Sequence, residues 1–252
     1  MVTFLGAGPG DPELITVKGA KALKAADVVI YAGSLVNPAL LRRCPPECRI
    51  LDSSRMTLEE VIDAICDAEE KKLMTVRLHT GDPSVYGAIR EQMDALDTRS
   101  IAYDVTPGVS SFCGAAAAIP TEFTLPGISQ TVILTRMAGR SPVPERESVA
   151  SLAAHGSSMV FFLSSGMLPS LQEELLKGAY TDDTPAALVY KASWPEEQVI
   201  RCRVGTMAAC ALEHGITKTA LVLVGDFLAG KYERSRLYAP DFTTGYREGN
   251  IG

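Results

Sequence analysis

Short apolar runs alternate with longer segments of helical period through the first half of the chain. Residues 2–5, 27–31 (DVVIY), 49–52, 73–78 (LMTVRL) and 101–105 read as short strands. They are mostly apolar and partly β-branched, as in a parallel sheet covered on both faces. Between them, apolar positions recur at three- and four-residue spacing over 14–26 and 57–71. Thr57, with Glu60 three residues on, forms a capping box for the second of these helices. A further helix is expected to start near Ser84, with Tyr86, Ile89, Met93 and Leu96 on one face. Asn37-Pro38 opens a short helix, and 109–119 (VSSFCGAAAAI) an alanine-rich one after Thr106-Pro107-Gly108. Strands alternating with helices predict an open parallel sheet with right-handed crossovers.

The residues 120–129 (PTEFTLPGIS) break both periods and read as a linker. A second set of strands follows at 130–135, 159–163, 186–190, 199–204 and 219–225, with helices at 145–154, 169–176 and 206–214. Only 191–198 separate two of these strands, which favours a hairpin over a crossover and hence a mixed sheet. The fold class expected is α/β in two αβα domains. The first, 1–119, carries a mostly parallel five-stranded sheet. The second, 130–232, carries a mixed sheet, with a ligand cleft between the two and a polar tail over 233–252.

Composition narrows the function. The 252 residues are 46% hydrophobic and 21% charged, enough apolar material for globular cores. A formal net charge of -6 argues against a nucleic-acid footprint. No apolar run approaches a membrane span, and the N-terminus lacks the basic and apolar regions of a signal peptide. The six cysteines are scattered, as in a protein with reduced cytosolic thiols. Cys44 and Cys48 flank Pro-Pro-Glu, but no second ligand pair follows, so no metal site is expected.

The candidate chemistry gathers at turns. In RLHTGDPSVYG (77–87) a buried strand runs into Thr80-Gly81-Asp82-Pro83, at the edge where open α/β sheets bind ligands. Gly6-Ala-Gly8-Pro-Gly10-Asp11 invites a dinucleotide reading but places Asp11 where the third glycine belongs. The second strand also ends in Tyr31-Ala32, without an acid for a ribose. No Gly-Lys-Ser/Thr follows, which excludes a P-loop. The serines do not form a nucleophile elbow. His79, before the GDP turn, either lines the cleft or packs. Asp104 ends the fifth strand, as a ligand contact or a turn cap. Arg136 and Arg140 lie in a Gly/Pro-rich loop that either holds carboxylates or is a solvated lead-in to a helix at Pro144. Trp194, the single tryptophan, suits a packing or interface anchor better than a catalytic group.

Four segments in order, GAGPGDPELITVKGAKAL, HTGDPSVYG, VTPGVSSFCGAAAAIP and TALVLVGDF, resemble the tetrapyrrole methylases, the class III S-adenosylmethionine-dependent methyltransferases of corrin and sirohaem synthesis. The resemblance covers about residues 2–228. Within the family, YAGSLVNPALL, HTGDPSVYGAIREQ, QTVILTR and YKASWPEEQ are similar to the branch that methylates C11 of precorrin-4 or cobalt-precorrin-4. It implies a cytoplasmic homodimer, with S-adenosylmethionine folded into the cleft against Pro9, Thr80, Gly81, Asp82, Val85, Ser110, Ser111, Leu163, Ala192 and Ala220. The substrate would be a polycarboxylated tetrapyrrole, for which Tyr31, Ser34, Arg55, Asp104, Arg136 and Arg140 are the candidate contacts. The uroporphyrinogen-methylating relatives carry an acid after the second-strand tyrosine. This chain has Ala32 there, so no catalytic acid carries over. A methyl on a sulfonium is already electrophilic and a macrocycle carbon is the nucleophile, so positioning in a dry cleft suffices.

Overall fold

The structure, a computed structural model, describes residues 1–230 and 232–250. The chain forms two compact units, Met1–Ala118 with Tyr190–Gln198, and Ile119–Val189 with Val199–Gly252.

The first unit contains β1 (Val2–Gly6), β2 (Val28–Tyr31), β3 (Arg49–Asp52), β4 (Thr75–His79) and β5 (Tyr103–Thr106). They form one sheet in the order β3-β2-β4-β1-β5, with every pairing parallel, as the sequence predicts. One face packs Val2, Phe4, Val28 and Ile30 against Ile62, Ile65 and Leu96. These come from α2 (Leu58–Glu70) and α3 (Ile89–Thr98). The other face packs Leu5, Val29, Val76 and Leu78 against Leu23 of α1 (Val17–Ala25) and Leu40. Each such side chain contributes about 1.5–3 kcal/mol on burial. The capping box of Thr57 and Glu60 is present, with bonds of 2.7 and 3.2 Å.

Two helix starts differ from the sequence pattern. α1 begins at Val17, capped by Thr16, because Asp11 first caps a separate 3-10 turn over Pro12–Leu14. α3 begins at Ile89, not near Ser84, because Tyr86 and Ala88 take left-handed backbone that no α-helix admits. The shift removes Tyr86 from the buried helical face.

The second unit holds β6 (Val132–Arg136), β7 (Ser158–Phe162), β8 (Pro185–Tyr190), β9 (Gln198–Arg203) and β10 (Ala220–Val224) in the order β6-β7-β10-β8-β9. β6 runs parallel to β7 and β7 antiparallel to β10, so this sheet is mixed, as expected. α5 (Val149–Ala153), α6 (Leu168–Leu176) and α7 (Met207–Glu213) accompany it. The linker-like stretch packs into this unit: Phe123 and Leu125 are buried, and the Phe123 ring lies 5.1 Å from that of Phe227.

Candidate functional site

Three turns meet at the carboxyl ends of β1, β4 and β5. The Gly8 amide donates to the Gly81 carbonyl at 3.2 Å, and the Gly81 amide returns a bond to the Gly8 carbonyl at 2.9 Å. A Cβ on Gly6 would lie 2.5 Å from the Gly108 Cα; one on Gly108 would lie 2.2 Å from the Gly81 oxygen. The glycines of GAG, GDP and TPG are therefore where three backbones touch. Gly81 also has φ of +59°, a left-handed position that glycine takes without a steric cost.

Asp82 braces the arrangement. Its Oδ2 accepts the Gly108 amide at 2.9 Å, and its Oδ1 accepts the amide and hydroxyl of Ser84 at 2.9 and 2.5 Å. Burial opposes ionisation, but the bonds from Ser84 and Gly108 outweigh it and hold the pKa below the usual carboxylate value. Val85 donates its amide to the Asp82 carbonyl at 3.2 Å, and the Thr80 hydroxyl donates to the Leu35 carbonyl at 3.4 Å. Ser110, buried, accepts amides of Cys113 and Gly114 through its carbonyl, just before α4 (Ser111–Ala118). A Cβ at Gly81 would come 3.3 Å from the Ser111 nitrogen.

The 190–198 connection folds onto this unit. Trp194 Nε1 donates to the Pro9 carbonyl at 3.1 Å, and the Asp11 amide donates to Ser193 Oγ at 2.9 Å. A Cβ on Gly10 would sit 2.0 Å from Trp194 Cδ1. On Gly114, it would meet the Cβ atoms of Pro9 at 2.8 Å and Ala192 at 3.6 Å. Pro9, Thr80, Gly81, Asp82, Val85, Ser110, Ser111 and Ala192 thus share one region of the first unit. Leu163 and Ala220 belong to the second unit. Leu163 follows β7 with φ of 52° and is 62% exposed, while Ala220 opens β10 and is buried. Ser164 underpins Leu163: its hydroxyl donates to the Phe162 carbonyl at 2.7 Å and accepts the Met137 amide at 2.9 Å.

The candidate substrate contacts divide. Tyr31, Ser34 and Arg55 are gathered because the turns after β2 and β3 are tied together. The Gly33 amide donates to Asp52 Oδ1 at 3.1 Å, and the Ser53 hydroxyl donates to the Tyr31 carbonyl at 3.1 Å. Ser34 and Arg55 are exposed there. Asp104 does not end its strand. It lies opposite Thr3 within β5, and its Oδ2 pairs with Lys18 Nζ at 2.9 Å. Arg136 spends its guanidinium on its own loop, donating to the carbonyls of Met137, Ser141 and Pro142 at 3.1, 3.1 and 2.8 Å. Arg140 is exposed in the same loop.

His79 is enclosed: it is 4% exposed, its Nε2 has no hydrogen-bond partner, and its ring lies 6.0 Å from Phe4. Burial, and secondarily the charge of Arg77, push its pKa down to about 3, so it is neutral at physiological pH. Arg77, also buried, donates from Nε to Gln92 Oε1 at 3.0 Å and from Nη1 to the Ile30 carbonyl at 3.1 Å. Burial lowers its pKa to about 10, which leaves it charged at neutral pH. The sequence signal for this network was available: an arginine and a histidine at alternate positions of an otherwise apolar strand.

Among known proteins, the family model described as Tetrapyrrole (Corrin/Porphyrin) Methylases matches residues 1–208. A cobalt-precorrin-4 C(11)-methyltransferase from Methanocaldococcus jannaschii is 48% identical over 98% of this chain and 96% of its own length. The X-ray structure of a cobalamin biosynthetic enzyme, cobalt precorrin-4 methyltransferase CbiF, superposes with a TM-score of 0.88 at 44% identity, covering 90% of this chain and 95% of that one. A uroporphyrin-III C-methyl transferase from Thermus thermophilus, complexed with S-adenosyl homocysteine, gives a TM-score of 0.76 at 26% identity, covering 92% and 95%. The chain belongs to the tetrapyrrole methylases.

Proposed function

We propose that the chain is an S-adenosylmethionine-dependent C-methyltransferase of corrin biosynthesis, acting on C11 of precorrin-4 or cobalt-precorrin-4. The observation that carries this is the 48% identity, over nearly the whole of both chains, to a cobalt-precorrin-4 C(11)-methyltransferase. The first unit fits the cofactor chemically. Among Pro9, Thr80, Gly81, Asp82, Val85, Ser110, Ser111 and Ala192 the single charged side chain is Asp82, and it is held anionic. Such a surface suits a ligand with a positive centre and disfavours a pyrophosphate. The Thermus thermophilus relative with its bound S-adenosyl homocysteine supports the same choice.

When bound, the cofactor supplies a methyl group on a positively charged sulfur. The chain's residues hold and orient. The proposed cofactor contacts are the eight above, with Leu163 and Ala220 of the second unit. Tyr31 and Ser34 are proposed to orient the macrocycle, and Arg55 and Arg140 to take its carboxylate arms by charge-assisted bonds. Asp104 and Arg136 drop out of that set because Lys18 and the loop carbonyls already occupy them. His79 is enclosed and is not proposed as the proton acceptor.

The deciding experiment supplies metal-free precorrin-4 and cobalt-precorrin-4 separately, with labelled S-adenosylmethionine, and locates the new methyl by carbon NMR. Methylation at C11 is expected. Label on another carbon would overturn the position; no transfer despite tight tetrapyrrole binding would favour a carrier. A homodimer working in the cytoplasm is part of the proposal. Sedimentation at micromolar concentration as a single 26.9 kDa chain would sink the dimer.

A further inference from the structure

The turn that carries Tyr86 is held in an unfavourable backbone from several sides. Tyr86 has φ of 56° and Ala88 has φ of 49°. A bulky residue in the left-handed region persists only where its surroundings over-determine it, and such residues cluster at ligand-handling sites. The turn's start is fixed by the Gly8–Gly81 backbone pair and by the Asp82 carboxylate. Gly87 is wound so tightly that a Cβ there would lie 2.1 Å from the Pro83 carbonyl oxygen. Its end is fixed from inside the protein. The Ala88 carbonyl accepts Gln92 Nε2 at 3.0 Å, and Gln92 Oε1 accepts Arg77 Nε at 3.0 Å. Arg77 and Gln92 are 7% and 5% exposed, so a buried cation and a buried amide are committed to the shape of a surface turn.

That shape presents an aromatic ring. Tyr86 is 45% exposed at the carboxyl edge of the sheet, where it follows the Gly81 turn by five residues. A tyrosine on a turn whose backbone is held in this way gives a large aromatic contact with only two side-chain torsions to order. A tetrapyrrole, with a hydrophobic ring and carboxylate arms around it, is a ligand such a surface fits.

We propose that Tyr86 is a specificity-determining contact for the tetrapyrrole, its ring packed on the macrocycle. Gln92, tied to Arg77, is the positioning residue that sets the turn. The inference rests on the methyltransferase reading above, and its test separates the two. Tyr86→Ala, Tyr86→Phe and Gln92→Leu are compared with wild type for kcat, KM for the macrocycle, S-adenosylhomocysteine affinity by calorimetry, and sedimentation. Tyr86→Ala is expected to raise the macrocycle KM about tenfold, corresponding to about 1.4 kcal/mol. Its S-adenosylhomocysteine affinity should stay within about twofold of wild type, because the ring lies outside the proposed cofactor contacts. Tyr86→Phe should retain most of the wild-type KM. Gln92→Leu should raise the macrocycle KM in the same sense while kcat at saturation is largely kept. An unchanged KM in Tyr86→Ala, an equal loss of S-adenosylhomocysteine affinity, or dissociation of an oligomer would overturn the inference. A wild-type protein that transfers no methyl group sinks the proposed function and this inference with it; a working wild type beside an equally capable Tyr86→Ala sinks this inference alone.

Discussion

The carboxylate of Asp82 accepts the backbone amide of Gly108 at 2.9 Å, tying the turn after β4 to the turn after β5. The same side chain takes the amide and hydroxyl of Ser84, so one residue organises two of the three turns that meet at the sheet edge. Asp82→Ala removes the acceptor for all three donors and is expected to destabilise the protein by about 1–3 kcal/mol. It should also weaken S-adenosylhomocysteine binding, because Ser110 and Ser111 follow directly on the freed turn. Denaturant unfolding and calorimetry check both; intact stability would show that the brace is dispensable.

Asp82 has a pH signature as well. Its folded pKa lies below the ordinary aspartate value of 3.8. A depressed carboxylate pKa contributes stability above 3.8 that is lost as pH falls through the folded value. Asp82→Asn is therefore expected to flatten the acid limb of the Tm profile below pH 4. An acid limb identical to wild type would assign that loss to other carboxylates.

His79 acts in the next pH window. Its folded pKa, about 3, lies below the ordinary 6.5. The unfolded chain therefore binds a proton that the folded chain refuses. The sign follows: the contribution is fully present above pH 6.5, and falls as the pH drops, by up to about 1.4 kcal/mol per unit. His79→Leu is expected to reduce the slope of stability against pH between about 6 and 4. No change in slope would mean that His79 reaches solvent in the native protein.

The turns were legible because their chemistry is local. Gly81, Asp82, Gly108 and Asn37-Pro38 are turn and cap residues whose roles follow from their own backbone demands. The alternation of strand and helix set the parallel first sheet for the same reason. What lay hidden depended on contacts remote in sequence. The Trp194 indole reaches Pro9, and nothing near 194 announces it. Asp104 sits two residues short of the end of β5, and only the register against Thr3 and the nearby Lys18 reveal that it is taken. Tyr86 fitted an i, i+3 helical pattern with Ile89. That pattern was overruled by a turn that Asp82 holds at its start and Gln92, itself bonded by Arg77, holds at its end.

Trp194 offers a direct readout of the 190–198 connection. Its indole packs where a Gly10 Cβ would have to lie, 2.0 Å from Cδ1, and bonds to the Pro9 carbonyl. Gly10→Ala is expected to displace the indole, red-shift the emission of this single tryptophan and lower Tm. Trp194→Phe keeps an aromatic body but loses the hydrogen bond, worth about 0.5–1.5 kcal/mol. Unchanged emission in Gly10→Ala would place the indole elsewhere.

Gly81 separates fold from ligand. From the sequence, a bulky residue there is expected to abolish cofactor binding and leave the fold intact. The structure changes that expectation. Gly81 has φ of +59°, which costs an L-residue about 1–2 kcal/mol. A Cβ would also press on the Ser111 nitrogen at 3.3 Å, so part of the effect falls on the protein itself. Gly81→Ala is expected to lower stability by about that strain and to weaken S-adenosylhomocysteine binding at least tenfold, since Ser110 and Ser111 must shift. Gly81→Val, β-branched in the same backbone, should lose more of both. Thermal unfolding and calorimetry on the same preparations distinguish the outcomes. Lower Tm with unchanged S-adenosylhomocysteine affinity would mean that the glycine serves the junction of turns alone and the cofactor lies elsewhere. Lost affinity at unchanged Tm would restore the simpler expectation, in which Gly81 makes way for the ligand and for nothing else.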